Sequence, residues 1–346
     1  MPPKAQRGVP DGVDESSLTK ENYEKELREL AAKAQEQTTF RSVMHNVAVL
    51  MQAAQVLACA AISSNLSQLT LSPVYGSIPA SYWHITLAAT AACVGWAASS
   101  WLQGKLRRKT VQFLAPIALS IPIMQHLLFK LSYYFGPIYG PLLTELVTLS
   151  PLVIFSASAV DQILRDLDLS ALPNSVAEAA PGLGSFFFYQ AVERFSKSII
   201  LNNIGANFLQ SRTGLQLVIG GIYARIAPSK LLLAAVPGLF HTLFLSPHIQ
   251  TPWATFDLTR NLDRSVGFKL LARQDSVTGY LSVLENTREH YRVLRCDHSL
   301  LGGNWLPRDQ VTVSEPIYGV FAMLEAVRLI QVDHSADPGA ESALVM

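Results

Sequence analysis

The stretch from about Met44 to Ile249 constrains this chain more than any other feature, because apolar runs long enough to cross a bilayer follow one another there. A spanning helix needs roughly 20 mostly apolar residues, and residues 46–69, 84–102, 111–131 and 138–160 approach that length. Between residues 182 and 249 the apolar character continues but is interrupted by Glu193, Arg194, Lys197, Arg212, Arg225 and Lys230. The pattern predicts about two or three further spans there, about six or seven in all. The expected fold is an α-helical polytopic membrane bundle followed by a small α+β module.

Charge narrows the classes further. Only 15% of the residues are charged and 49% are hydrophobic, a balance too apolar for an ordinary soluble enzyme. The net charge of +1 and the scattered basic residues argue against a nucleic-acid partner. Cys59, Cys93 and Cys296 are too widely spaced for a C-x-x-C metal or redox site and are expected as free thiols. The histidines form neither H-x-x-x-H nor H-E-x-x-H, and neither a Gly-x-Ser-x-Gly elbow nor a phosphate-cradling glycine loop is present. No metal is expected.

Residues 1–18 are polar and proline-rich at the start, lack apolar periodicity and are expected to be disordered. Residues 19–43 carry apolar positions at helical spacing with Glu–Lys and Glu–Arg pairs four apart, which predicts an amphipathic cytosolic helix. Residues 44–249 form the expected multi-span domain. Its densest basic cluster, Lys105, Arg107, Arg108 and Lys109, belongs on the cytosolic side, and this places the N-terminus there too, in an integral, multi-pass protein whose lipid partner is the bilayer. Within the spans, Glu145 is an acid in an apolar segment, and Pro116, Pro122, Pro141 and Pro151 would kink or break helices. Broken helices and buried acids mark transport paths; the simpler reading is that the prolines are tolerated and Glu145 pairs across the bundle. Asp161 with Arg165, and Glu193 with Lys197, have the four-residue spacing of helical ion pairs.

After Pro247 the pattern changes. Residues 250–274 read as a linker with one short helix, and residues 275–332 as a β module and first helix. Within that module, residues 277–285 and 291–297 are rich in β-formers and are separated by a polar turn. Residues 299–308 end the β region, 310–313 add a short strand, and Ser314, Glu315 and Pro316 suit the first turn of a helix reaching about Ile330. Residues 333–346 form a polar tail with the opening of a buried strand.

The order GYLSVLEN, YRVLRCDHSLLGG and SEPIYGVFAMLEAVRLI resembles the N-terminal β-domain and first helix of the spermidine and spermine synthases, in particular the fungal membrane-embedded members. The resemblance covers residues 271–346. It implies an aminopropyltransferase of polyamine biosynthesis, with Asp297 as the turn aspartate and Tyr318 as the aromatic lining the polyamine site, both substrate-binding. It also implies homodimer contacts through the β module. His298 and Gly319 depart from the residues usual in that family. The family's glycine-rich cofactor turn and catalytic carboxylates lie on a Rossmann-like domain expected to be missing here, so the resemblance implies no catalytic residue and no cofactor in this chain. Decarboxylated S-adenosylmethionine would be the co-substrate only of a fuller form. The alternative is a polytopic transporter or scaffold with a vestigial synthase-like tail.

Overall fold

The structure, a computed structural model, describes residues 20–106, 109–169, 173–205, 207–307 and 315–316. Helix α1 runs unbroken from Lys20 to Tyr75, 56 residues or about 84 Å at 1.5 Å per residue. Its polar first half and its apolar second half are therefore one element. Around the second half pack α7 (Leu149–Leu164), α8 (Asn174–Asn203) and α9 (Arg212–Ile226). α2 (Ser77–Tyr82), α3 (His84–Ala97) and α4 (Ser99–Lys105) lead outward and back, with α3 lying along α7. α5 (Leu114–Lys130) pairs with α9, and α6 (Ser132–Val147) bends at Gly136, whose φ of 65° leaves the helical region.

Two of the four prolines that threaten these helices sit where they do least harm. Pro116 and Pro151 occupy first turns, where the missing N–H has no intrahelical partner to lose. Pro122 and Pro141 lie inside α5 and α6.

The core is apolar but pinned by polar bonds. Val56, Leu66, Leu114, Leu152, Val160 and Tyr223 are sealed from solvent. The Tyr223 hydroxyl donates to the Val56 carbonyl at 3.3 Å and accepts from Ser156 at 3.2 Å, tying α9 to α1 and α7. Such a bond lets a large side chain sit at full burial without an orphaned hydroxyl. Arg165 pairs with Asp161 at 2.7 Å and also donates to Ser99 and Ser100, fastening α4 to α7.

The expected bundle of about six spans is corrected by the structure. Among the described residues three helical stretches are long and apolar enough to cross a membrane: Phe40–Tyr75, Thr110–Lys130 and Ser132–Leu164. A fourth counts only if Ser77–Ala97 and Ser99–Lys105, bent by 61° at their junction, are one span. The physical reason lies in the interruptions. Glu193, Arg194 and Lys197 fall within α8, and the apolar residues beyond it form short pieces: α9, α10 (Val236–Phe240), the 3₁₀ turn Lys230–Ala235 and the π turn His241–Leu245. Within the stretch from 182 to 249, α8 is thus long but too charged to count as a span, and the pieces beyond it are too short.

After α11 (Pro252–Val266) the chain forms an antiparallel sheet in simple meander order: β1 (Phe268–Ser276), β2 (Gly279–Asn286), β3 (Tyr291–Cys296), β4 (Ser299–Trp305) and β5 (Glu315–Pro316). β1 occupies residues whose mixed polarity reads as linker, and residues 299–305 are a full strand rather than the close of the β region. Glu315 and Pro316 pair with Trp305 and Asn304, so they extend the sheet instead of opening a helix. The expected strand at 310–313, the helix body to Ile330, and the segments 1–18 and 333–346 lie outside the described residues.

Arg273 on β1 anchors the sheet. Its guanidinium donates to the Pro247 carbonyl at 2.5 Å, the Ile249 carbonyl at 2.6 Å and the Thr255 hydroxyl at 2.8 Å. Gly205, at φ 84°, lies so close to the Asp275 carbonyl that any Cβ would collide with it, so β1 rests directly on the turn after α8. Replacing Arg273 with Met keeps most of the apolar stem but strands two carbonyls. It is expected to cost about 2–3 kcal/mol, read as a lowered thermal midpoint with unchanged helical circular dichroism at low temperature.

Candidate functional site

Where the sheet meets the helices a cavity of about 580 Å³ remains, within the range of small-ligand pockets. Its walls come from five places: Ser67 and Thr70 of α1; Gln125, His126 and Lys130 of α5; Arg212 and Gln216 of α9; Ser246 and His248 after the π turn; and Asp275, Tyr280, Asp297 and His298 of the sheet. Leu66, Ile121, Phe129 and Leu149 complete it with apolar surface.

Asp275 organises one wall. One carboxylate oxygen accepts from the Arg212 backbone N–H at 2.9 Å, capping the start of α9, and the other lies 3.3 Å from the Arg212 guanidinium. Both side chains are buried. A carboxylate at a helix N-terminus is stabilised by the free N–H groups and the dipole there. Arg212 nevertheless keeps a buried Nε–H without a partner, and its bond to the Ser276 carbonyl is long at 3.4 Å. Burial pushes the Tyr280 phenol above its ordinary pKa, partly offset by Arg273, so it stays protonated.

Asp297 stands in the two-residue loop between β3 and β4 with φ of 52°, a left-handed conformation that Asp tolerates better than most residues. Its Oδ1 accepts from the Tyr280 N–H at 2.7 Å, and its own N–H donates to the Tyr280 carbonyl at 2.9 Å. Gly279, at φ 147°, leaves room for the carboxylate, which a Cβ there would strike. The next residue, His298, meets the Val74 carbonyl at 3.3 Å. The loop is thus held from the sheet and from α1.

Three imidazoles gather beside the cavity, two of which, His126 and His248, line it. The ring centroid of His126 is 4.9 Å from that of His241 and 5.8 Å from that of His248. Among the described residues no group of histidine, cysteine and acidic side chains has the geometry to hold a metal ion. His248 lines the cavity and keeps exposed surface. Partial burial, with Arg273 and Lys130 nearby, pushes its pKa below the ordinary histidine value.

Deeper in the helices Glu145 is paired across the bundle. Its Oε1 lies 2.6 Å from His84 Nδ1 and accepts from Ser67 at 2.8 Å, while Ser64 lies 2.8 Å from His84 Nε2. Both Glu145 and His84 are 1% exposed. With Nδ1–H donating to the carboxylate, Nε2 of a neutral ring accepts from the Ser64 hydroxyl. The order serine, histidine, acid matches that of a hydrolase triad, but Ser64 is sealed and absent from the cavity wall, so no substrate reaches it.

Of the residues singled out from sequence, Asp297 lies in the cavity wall and Tyr318 lies outside the described residues. Arg212, Asp275, Tyr280, His126 and His248 were not anticipated there. The signal available was the isolation of Arg212 in an apolar stretch, since a lone charge in such a setting needs a partner.

Two outcomes follow from these contacts. Glu145→Ala removes the acceptor from a fully buried imidazole and is expected to destabilise the fold by about 3–5 kcal/mol, measured by thermal unfolding. For His248, the unfolded chain binds its proton more readily than the folded one, so stability falls as pH drops below about 6.5. His248→Gln should show a smaller loss between pH 7 and pH 5 than the unsubstituted protein; equal losses would assign the acid sensitivity to other groups.

No family model matches the sequence, and no solved structure matches it. A curated protein does: an N-terminal histidine N-methyltransferase of Emericella nidulans is 37% identical over 316 residues, covering 88% of this chain and 56% of the relative. The chain spans about half the length of the curated relative it matches. The match overturns the resemblance to spermidine and spermine synthases, and with it the polyamine substrate and the aminopropyl transfer. It equally overturns the transporter alternative, for which Glu145, paired as described, offered the sequence support. The expectation of no cofactor falls too, because a methyltransferase consumes a methyl donor. By sequence, this chain is similar to a histidine methyltransferase.

Proposed function

We propose that this protein takes part in N-methylation of a histidine at the start of a polypeptide, with S-adenosylmethionine as methyl donor. The observation that carries this reading is the 37% identity to the Emericella nidulans enzyme over 316 residues. The donor supplies an electrophilic methyl group; the acceptor must be bound with a nitrogen lone pair free to attack. The described residues do not fit the donor. Nucleoside cofactors of this kind commonly sit at the carboxyl ends of parallel strands beside a glycine-rich turn, whereas the described sheet is antiparallel throughout and no glycine-rich strand-to-helix turn is present among the described residues. What these residues offer is a polar, enclosed space suited to an acceptor.

We also infer that the protein resides in a lipid bilayer. Support comes from the three long apolar stretches and from large apolar side chains turned outward on the helices, among them Ile85, Trp101, Phe187 and Phe195. Lipid would cover surfaces that water would otherwise meet at a cost of roughly 25 cal/mol per Å².

Incubating the protein with methyl-labelled S-adenosylmethionine and a peptide beginning with histidine should place label on the first residue, and none on the same peptide beginning with alanine. Label on neither peptide defeats the methyltransferase reading. Isolated membranes washed in alkaline carbonate should retain the protein; its release into the wash would defeat the bilayer reading.

A further inference from the structure

We propose that the cavity between the helices and the sheet is the binding site for the first residue of the acceptor polypeptide, with the Asp297 carboxylate holding its α-ammonium group. This rests on the methyltransferase reading and adds to it a place on the chain.

Asp297 has the features of a preorganised anion. Its backbone sits at positive φ in the two-residue turn between β3 and β4, which fixes where the side chain starts. One carboxylate oxygen is committed to the Tyr280 N–H, which fixes the plane of the group and leaves the other oxygen to accept from a ligand. Asp297 takes part in none of the described ion pairs. A cation supplied from outside would complete it, and a charge-assisted bond of this kind is about twice as strong as a neutral one.

Arg212 points to the rest of the ligand. It is 7% exposed, lines the same cavity and carries an Nε–H with no acceptor. A buried unsatisfied donor is unfavourable, and the carbonyl of a first peptide unit would satisfy it. Arg212 and Lys130 balance Asp275 and Asp297 in charge around the cavity. That balance suits a ligand bearing a cation and a neutral acceptor side by side better than a phosphate, which would favour a basic wall, or a polyamine, which offers no acceptor. A polypeptide N-terminus has this pairing. The space is large enough for a histidine side chain as well, and Phe129, His126, His248 and Tyr280 line it.

The test compares binding of a short peptide beginning with histidine, with its amine free or acetylated, to the full chain in detergent by calorimetry, with methyl transfer measured on the same samples. The unsubstituted protein should bind the free-amine peptide about tenfold or more tightly than the acetylated one. Asp297→Asn, a nearly isosteric change that also tolerates positive φ, should lose that preference and raise KM for the free-amine peptide by a similar factor. Thr213→Trp, on the cavity wall, should weaken both peptides alike by filling the space. Methyl transfer with an unaltered preference in Asp297→Asn overturns the assignment of Asp297 and leaves the methyltransferase reading standing. Unaltered binding of both peptides in Thr213→Trp overturns the cavity as the site. Failure of the unsubstituted protein both to bind and to methylate overturns the methyltransferase reading, and the proposal with it.

Discussion

The sheet is held to the helices by charge, and the contact between Asp275 and Arg212 is the one on which the arrangement depends. A single carboxylate ends the strand β1, caps the helix α9 and neutralises a buried guanidinium. Removing two ions from water is costly, and their attraction offsets that cost only when geometry and extra hydrogen bonds are favourable. Here the helix N-terminus supplies the extra bond. Arg273, Gln274 and His298 then extend the docking along the sheet to the Pro247 and Ile249 carbonyls, the Gly205 carbonyl and the Val74 carbonyl. Each of these contacts aims a side-chain donor at a backbone carbonyl of the helical part.

The cavity is the space this docking leaves. Its polar side chains come from positions as far apart in sequence as Ser67 and His298, and none belongs to a local motif. The helices contribute the deep wall, behind which Ser64, His84 and Glu145 bond to one another while one Glu145 oxygen is left without a partner. The sheet contributes the acids. A ligand there would touch both parts of the molecule, so occupancy and the seating of the sheet on the helices are thermodynamically linked.

Sequence periodicity reads the helical core well where an apolar run is long and uncharged, as in residues 110–130, and poorly where charges interrupt it. In α8, Glu193, Arg194 and Lys197 do not end the helix, yet they remove it from the set of stretches able to span. β1 was obscured because its exposed face carries Lys269 and Gln274 and its inner face carries Arg273 and Asp275, so no apolar alternation marks it. The polar turn between β2 and β3 was legible from composition. Asp297 was singled out through its place at a turn, and the structure puts it in a cavity wall; the partners around it, Arg212 and Tyr280 among them, are assembled by tertiary packing and leave no spacing to read. The family resemblance drawn from the same strands was misleading because short alternating strands and two-residue turns recur across unrelated folds.

The pairing of β1 with β2 skips one residue: Leu270 faces Leu284, Ala272 faces Val283, and Leu271 has no partner. Side chains alternate faces along a strand, so an uninterrupted register would send Leu270 to the side opposite Arg273 and Asp275. The skipped residue reverses the parity. Leu270, Arg273 and Asp275 then stand opposite Leu284, Ser282 and Tyr280 on one face, and the apolar anchor and both charged clamps meet the helices together. Leu271 is thus an inserted residue: removing it would restore a regular ladder with Leu270, Arg273 and Asp275 still on one face, so what it adds is a local bend and extra twist in β1.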